Sequence, residues 1–449
     1  MKRWSGGGGD GDDPADATVM LDEDASQPVA PPTPGEMAAL PEALSADGPS
    51  PGIRLGSDFG RLWGAAAVSA VGDGVRETAL PLLATVFTRN PILIAGILFA
   101  SKLPWLLCSL PAGAIADRVD RRRLVIFVNV FRAVVMGGLF AVVAGGGGSL
   151  WLLYAVAFLQ GVDEVFSDNT AFAMMPVLVP HAGLDKANGR LEAAAVMGQS
   201  FIGPALGGVL FAVVAGVPFG LDAASFALAA VLFMSIGHRA QRVERAAVSL
   251  GADIKEGLTW LRGHALLRNL SVFAALTNFV LHATFGIFVL YALEILHLGE
   301  IGFGLLLSVE AVGVLFGSLL AASIRQRVGI GPAILISLLI AGVANFVIGA
   351  SSSVVVVGAM MVSISFCAGV WNVVTNSLRQ ATVPDRLMGR VQSAHRLLSW
   401  GAIPVGTIFG GAIAQAWGLR APFYVASVAL LILAVAAYSL VARARPDAV

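Results

Sequence analysis

The chain has 449 residues, 57% of them hydrophobic and 13% charged, with a formal net charge of zero and a mean hydropathy of +0.80. A soluble domain carries roughly 25% charged residues, so this composition excludes a large water-soluble core and points to a membrane protein. Cys108 and Cys367 both sit in apolar runs, and neither HExxH nor GxxxxGK[ST] occurs, so a disulfide framework, a zinc site, an ATP loop and a bound cofactor are all unexpected.

Residues 1–57 contain GGGGDGDD and PVAPPTPGE and carry ten acidic residues against Lys2, Arg3 and Arg54. Such a segment cannot bury enough apolar surface to order itself, and it lacks the apolar stretch of a signal peptide, so a disordered acidic tail is expected. Apolar runs of about twenty residues then recur, each able to cross a hydrocarbon layer of about 30 Å. They predict helices at 60–87, 92–116, 124–145, 150–177, 191–214 and 220–237, and again at 269–293, 302–323, 330–350, 354–378, 391–415 and 422–441. The expected fold is all-α and polytopic, with twelve transmembrane helices in two six-helix bundles at 58–237 and 269–449. Between them, Leu250, Ile254, Leu258 and Leu261 recur at helical spacing within 238–268, which predicts an amphipathic helix on the membrane surface.

Loops 117–123, 179–190, 238–268, 324–329 and 379–390 hold seventeen basic residues, whereas the opposite loops hold only Arg89 and Arg420. Basic loops stay in the cytoplasm, which puts both termini there and the protein in the cell membrane. The two halves also resemble each other. Gly189-Arg190 precedes Pro204 by the same interval as Gly389-Arg390 precedes Pro404, and each proline is followed by a glycine pair, Gly207-Gly208 or Gly410-Gly411. A duplicated bundle suits a transporter that rocks about a central site.

Several charges lie deep in the first six spans. Asp73, Arg76 and Glu77 share one helix face, joined at similar depth by Lys102, Asp163 and Glu164, with Arg132 and Asp168 nearer the cytoplasm. Each would cost at least about 2.5–3.5 kcal/mol facing lipid, so all eight should face a shared interior. Five carboxylates then face three bases. A carboxylate left without a counter-charge takes up a proton, so proton binding couples to water access; Asp73, Glu77 and Asp163 are the expected carriers. A wholly structural ion-pair network is the alternative. The second half offers Asn278, His282, Glu310, Trp371, Asn372 and Asn376 as a pocket for a bulky amphipathic substrate, although asparagines one turn apart, as Asn372 and Asn376 are, more often hydrogen-bond neighbouring helices than bind ligand, and Glu310 fits a helix end equally well.

Two motifs carry a family resemblance. The loop GAIADRVDRRRLV (113–125) and the helix segment GQSFIGPALGG (198–208), with SAVGDG at 69–74 and LVPHAGLDKANGR at 178–190, resemble the major facilitator superfamily, in particular its enterobactin-exporter and macrolide or tetracycline efflux branch. Gly113, Asp117, Arg118, Arg121 and Arg122 match the superfamily's inner-loop pattern, with Asp120 replacing a glycine. By resemblance, Asp117 and Arg118 form a conformational latch and Gly203, Pro204, Gly207 and Gly208 an exporter motif, while Gly189 and Gly198 sit one place early for it. The resemblance implies a monomeric secondary exporter with lipid, a small molecule and protons as partners and no nucleic acid. An importer on the same fold and a non-transporting receptor or scaffold are the alternatives; an intramembrane enzyme has no supporting motif.

Overall fold

The computed structural model describes residues 55–108, 119–179, 183–237 and 250–443. The acidic tail up to residue 54 and Gly113, Asp117 and Arg118 of the inner loop lie outside the described residues, as do the side chains of Arg121 and Asp168. All regular structure among the described residues is helical. In chain order the helices are α1 (Gly56–Phe87), α2 (Pro91–Leu107), α3 (Arg121–Ala144), α4 (Leu150–Leu178), α5 (Leu184–Ala195), α6 (Gly203–Val213) and α7 (Val217–Met234). They continue as α8 (Leu250–Gly263), α9 (Ala265–Phe285), α10 (Phe288–Glu294), α11 (Glu300–Val328), α12 (Ile330–Ala350), α13 (Val354–Thr382), α14 (Asp385–Trp417) and α15 (Ala421–Arg443).

Ten helices among the described residues are long and apolar enough to cross a membrane. The first predicted span, α1, runs 32 residues but is interrupted by Asp73, Arg76 and Glu77, and α2 is 17 residues long. Two predicted spans differ in detail. The span expected at 191–214 begins at Leu184, and a π-helical turn, Val196–Ile202, joins α5 to α6. Pro204 explains the wide turn: with no N–H it cannot bond the Ser200 carbonyl four residues back, and the Gly203 N–H bonds five residues back to Gly198 O. The span expected at 269–293 breaks between α9 and α10, where Gly286 lies so close to α14 that a Cβ would stand 2.6 Å from Thr407 Cγ2.

Contacts between the two halves of the chain run mainly through α2 with α14 and through α6 and its π turn with α11. Matching glycines make these contacts possible. A Cβ at Gly203 would stand 2.6 Å from Gly74 Cα, and one at Gly207 2.7 Å from Val75 O, so this GxxxG face packs on α1. Gly406 and Gly410 press in the same way on Phe279 and Ala283 of α9. The next glycine turns to the other half each time: Gly208 against Glu300 and Gly304 of α11, Gly411 against Ile92 and Ala95 of α2.

The largest apolar cluster draws on α1, α2, α10, α11 and the ends of other helices next to the short connections at 88–90 and 295–299. Its members come from both halves, so that end of the molecule is closed. Arg89 and Glu294, 3.8 Å apart, bridge it at the surface. Toward the opposite, basic end the apolar contacts divide into smaller groups. The expected amphipathic helix is present as α8, docked on α14 through Leu261, Leu387 and Val391.

Candidate functional site

The charges of the first half gather in the interior, most of them paired. Arg76 and Arg132 are only 4% and 5% exposed, and both bind the same oxygen: Arg76 Nη2 donates to Asp73 Oδ1 at 2.9 Å and Arg132 Nη2 at 2.6 Å. Asp73 is thus held between two guanidinium groups. Arg132 also donates to Gln160 Oε1 at 3.2 Å and lies over the Phe226 ring at 3.9 Å.

A sixth carboxylate, missed in the sequence, completes the network. Asp222 of α7 is fully buried with Oδ2 3.5 Å from Arg76 Nε. It reaches α1 because position 72 is glycine, where a Cβ would stand 2.4 Å from Asp222 Oδ1. An aspartate inside an apolar run was the available signal, hidden because the span was expected to start at 220, which put Asp222 at its mouth. Asp163 of α4 is buried as well, and its Oδ2 has no hydrogen-bond partner among the described residues. Lys102 of α2 and Glu164 of α4 pair at 3.1 Å.

Two adjoining cavities lie between the halves. The first, of about 410 Å³, is lined by α1, α2, the π turn, α9, α10 and α11, and exposes Glu77, Lys102 and Glu310 to one space. Glu77 is held by Gln199 Nε2 at 3.0 Å. Gln199 is carried on the π turn, whose backbone nests on Gly74. Pro81, one turn beyond Glu77, removes the amide that would bond the Glu77 carbonyl. Glu310 lies about 15 Å inside α11 by helical rise, not at its end, and makes no hydrogen bond or ion pair among the described residues. The second cavity, of about 380 Å³, is lined by Asn278, Trp371, Asn372, Arg379, His395 and Trp400 among others. Lys102 and His282 line both.

The pocket expected from the second half is therefore split. Glu310 faces the first cavity together with α1, while Asn278, Trp371 and Asn372 face the second. Asn278 Nδ2 donates to Ser399 O at 2.9 Å, and His282 Nδ1 donates to the Asn278 carbonyl at 2.8 Å. Asn376 lines neither cavity and accepts from Arg379 Nη2. Arg379, His395 and Trp400 lie in helix portions nearer the basic loops, so no sequence signal joins them to this space. Trp105 and Trp400 meet edge to face at 4.7 Å, with Arg396 over both rings.

Within the inner loop, Asp120 Oδ1 caps α3 by accepting from Arg123 N at 3.0 Å. Arg122 donates to the carbonyls of Phe233 and Met234 at the end of α7. The Arg122 contacts tie α3 to α7, both in the first half.

The sequence model of the transmembrane secretion effector family matches residues 55–447. The multidrug efflux pump Tap of Mycolicibacterium fortuitum is 26% identical over 383 residues, which cover 83% of this chain and 93% of that protein. Macrolide efflux protein A of Streptococcus pyogenes is 23% identical over 393 residues, covering 84% and 94%. Among solved structures, a bacterial homologue of the iron transporter ferroportin in an inward-facing state has a similar fold, with a TM-score of 0.70 at 18% identity over 86% of this chain and 99% of that one.

Proposed function

The chain belongs to the transmembrane secretion effector family of the major facilitator superfamily, a family of multi-pass membrane transporters and not of enzymes, and on that premise we propose that it exports an amphipathic small molecule in exchange for protons. The observation that carries this reading is the first cavity, where Glu77 and Glu310, neither in ion-pair contact with a base among the described residues, face a space large enough for a drug-sized molecule. Efflux is the activity named for the relatives.

The moving parts are two six-helix bundles, 58–237 and 269–449, joined by the 238–268 segment. The paired glycine contacts of Gly208 and Gly411 support this division, because each bundle presents the same glycine to the other. With the basic loops and both termini in the cytoplasm, the closed end faces outward and the cavities belong to the inward-facing state of an alternating-access cycle. Glu77 and Asp163 carry protons; Asp73, Arg76, Arg132 and Asp222 hold the bundle's interior around them. Asp117 and Arg118 latch the inner face when it closes. The working unit is a monomer.

Reconstitution in liposomes with an imposed pH gradient tests the reading. An ethidium or macrolide probe should move uphill against proton flow, and an ionophore that collapses the gradient should stop it. Glu77→Gln and Asp163→Asn should abolish uphill movement while leaving exchange of probe across the membrane. Unchanged uphill transport in the double variant would refute proton coupling through these acids.

A further inference from the structure

At the elbow between α8 and α9 the chain turns from a surface helix into a membrane-length span within one residue, His264. One face of α8 fixes it in place: Leu261 is buried with Leu387 and Val391 of α14, and a Cβ at Gly257 would stand 2.3 Å from Arg390 O. Seven residues make almost two whole turns, so Lys255 and Arg262 project together, away from Gly257 and Leu261, and both are exposed. Arg268, in the first turns of α9, donates from Nη1 to Arg262 O at 3.1 Å, which folds its guanidinium back over the end of α8. His264 closes the elbow. Its ring stacks on Trp260 with centroids 3.7 Å apart, and its Nδ1–H donates to the Trp260 carbonyl at 3.1 Å.

Charge at this elbow is one-sided. From Lys255 to Phe285 the sequence holds a single acid, Glu256, and it is bound to Arg390 of α14. Lys255 and Arg262 make no side-chain hydrogen bond or ion pair among the described residues, and the bond of Arg268 is to a neutral carbonyl. An apolar strip continues inward from these charges. Val272 and Leu276 follow Arg268 at steps of four along α9 and are 49% and 43% exposed. Neither lines the two cavities, whereas Asn278 and Leu281 of the same helix do line the second. Cations at the mouth of a span, with exposed apolar side chains in line behind them, match both ends of a lipid. A soluble acidic polypeptide would meet the charges and leave the strip bare.

We propose that the α8–α9 elbow is a seat for an anionic phospholipid from the leaflet on the side of the basic loops. Arg262 and Arg268 hold its phosphate through charge-assisted hydrogen bonds, Lys255 adds to the attraction, and Val272 and Leu276 border its acyl chain. The bound headgroup bridges the end of α8 and the start of α9, so it holds α8 in its docked position on α14. The seat is independent of what the protein transports and in which direction.

The test is native mass spectrometry of the purified full-length protein titrated with dioleoylphosphatidylglycerol or with dioleoylphosphatidylcholine, which has the same chains and no net charge. Wild-type protein should retain the anionic lipid about tenfold more tightly and melt at a higher temperature with it. Arg262→Gln, which removes no side-chain bond among the described residues, should lower the preference. Arg262→Gln with Arg268→Gln should bring the two lipids close to equal retention, with size-exclusion profiles confirming a folded protein. Arg325→Gln with Arg327→Gln, which removes two exposed charges from the last turn of α11, should keep the preference. Equal retention of both lipids by wild-type protein would overturn the seat. So would an unchanged preference in Arg262→Gln and the elbow double variant, or an equal loss in the α11 control, the mark of diffuse attraction. Glycerol 1-phosphate and polyglutamate at matching concentration should leave the lipid bound. Displacement by the first would make the ligand a free phosphate, and by the second an acidic polypeptide; either overturns the lipid assignment.

Discussion

Asp222 Oδ2 lies 3.5 Å from Arg76 Nε, and this contact ties α7 to the charged middle of α1. Arg76 is shared with Asp73, so removing Asp222 leaves a buried guanidinium with one partner instead of two. Asp222→Ala should cost about 1–3 kcal/mol, the penalty of an under-satisfied buried polar group. Thermal unfolding of purified protein measures it. An Asp73→Ala variant, which strips a partner from both Arg76 and Arg132, should be the more damaging of the two; the reverse order would remove Asp73 as the hub.

Gly72 admits Asp222 and Ser225 to the α1 backbone. A Cβ there would stand 2.2 Å from Ser225 Oγ, deep in the helix contact. Gly72→Val should lower the yield of folded protein sharply, whereas Gly189→Ala and Gly389→Ala, where a Cβ meets nothing within 4 Å, should be neutral or slightly stabilising by helix propensity, within about 1 kcal/mol. Size-exclusion profiles and melting temperatures of the three variants decide this.

Gly208 and Gly411 sit at the contacts between halves. A Cβ at Gly208 would lie 2.5 Å from Glu300 O and one at Gly411 2.8 Å from Ala95 Cβ. Gly208→Leu and Gly411→Leu should hold the closed end apart, which raises labelling of a cysteine placed at Phe303 by an impermeant maleimide and lowers transport at least tenfold. Labelling equal to that of the parent would show that the contact yields at no cost.

Lys102 and Glu164 form a pair with 20% and 24% of their side-chain surfaces exposed. Lys102→Met alone leaves Glu164 facing the second cavity without a counter-charge, and Glu164→Gln alone leaves Lys102 so. The double change should be milder than the sum of the singles by about 0.5–3 kcal/mol of unfolding free energy. Additive losses would mean that water, rather than each other, satisfies the two charges.

On the surface helix α8, Arg390 Nη1 binds Glu256, whose side chain is 48% exposed. Glu256→Gln should therefore change stability by less than about 1 kcal/mol. Gly257→Val should do more, because a Cβ there would stand 2.3 Å from Arg390 O. Limited proteolysis near α8 distinguishes the two: release of the helix is expected only in the Gly257 variant.

The sequence by itself determined the all-helical class, ten spans of membrane length among the described residues, the GxxxG faces and the burial of charges, because a lipid environment imposes helix length and penalises ionised groups wherever they occur along the chain. Ends moved by several residues where proline or a close glycine contact altered the hydrogen-bond ladder, as at Pro204 and Gly286. Only the tertiary structure decided the partners. Asp73 and Glu77 stand one turn apart on α1, yet Asp73 meets the Arg132 guanidinium in addition to that of neighbouring Arg76, while Glu77 faces a cavity, since what opposes each across the interface is set by α3 and the π turn, remote in sequence. Asp222 and Glu310 gained their significance in the same way: charge pairing depends on distances of a few ångströms between helices, which spacing along a single helix does not encode.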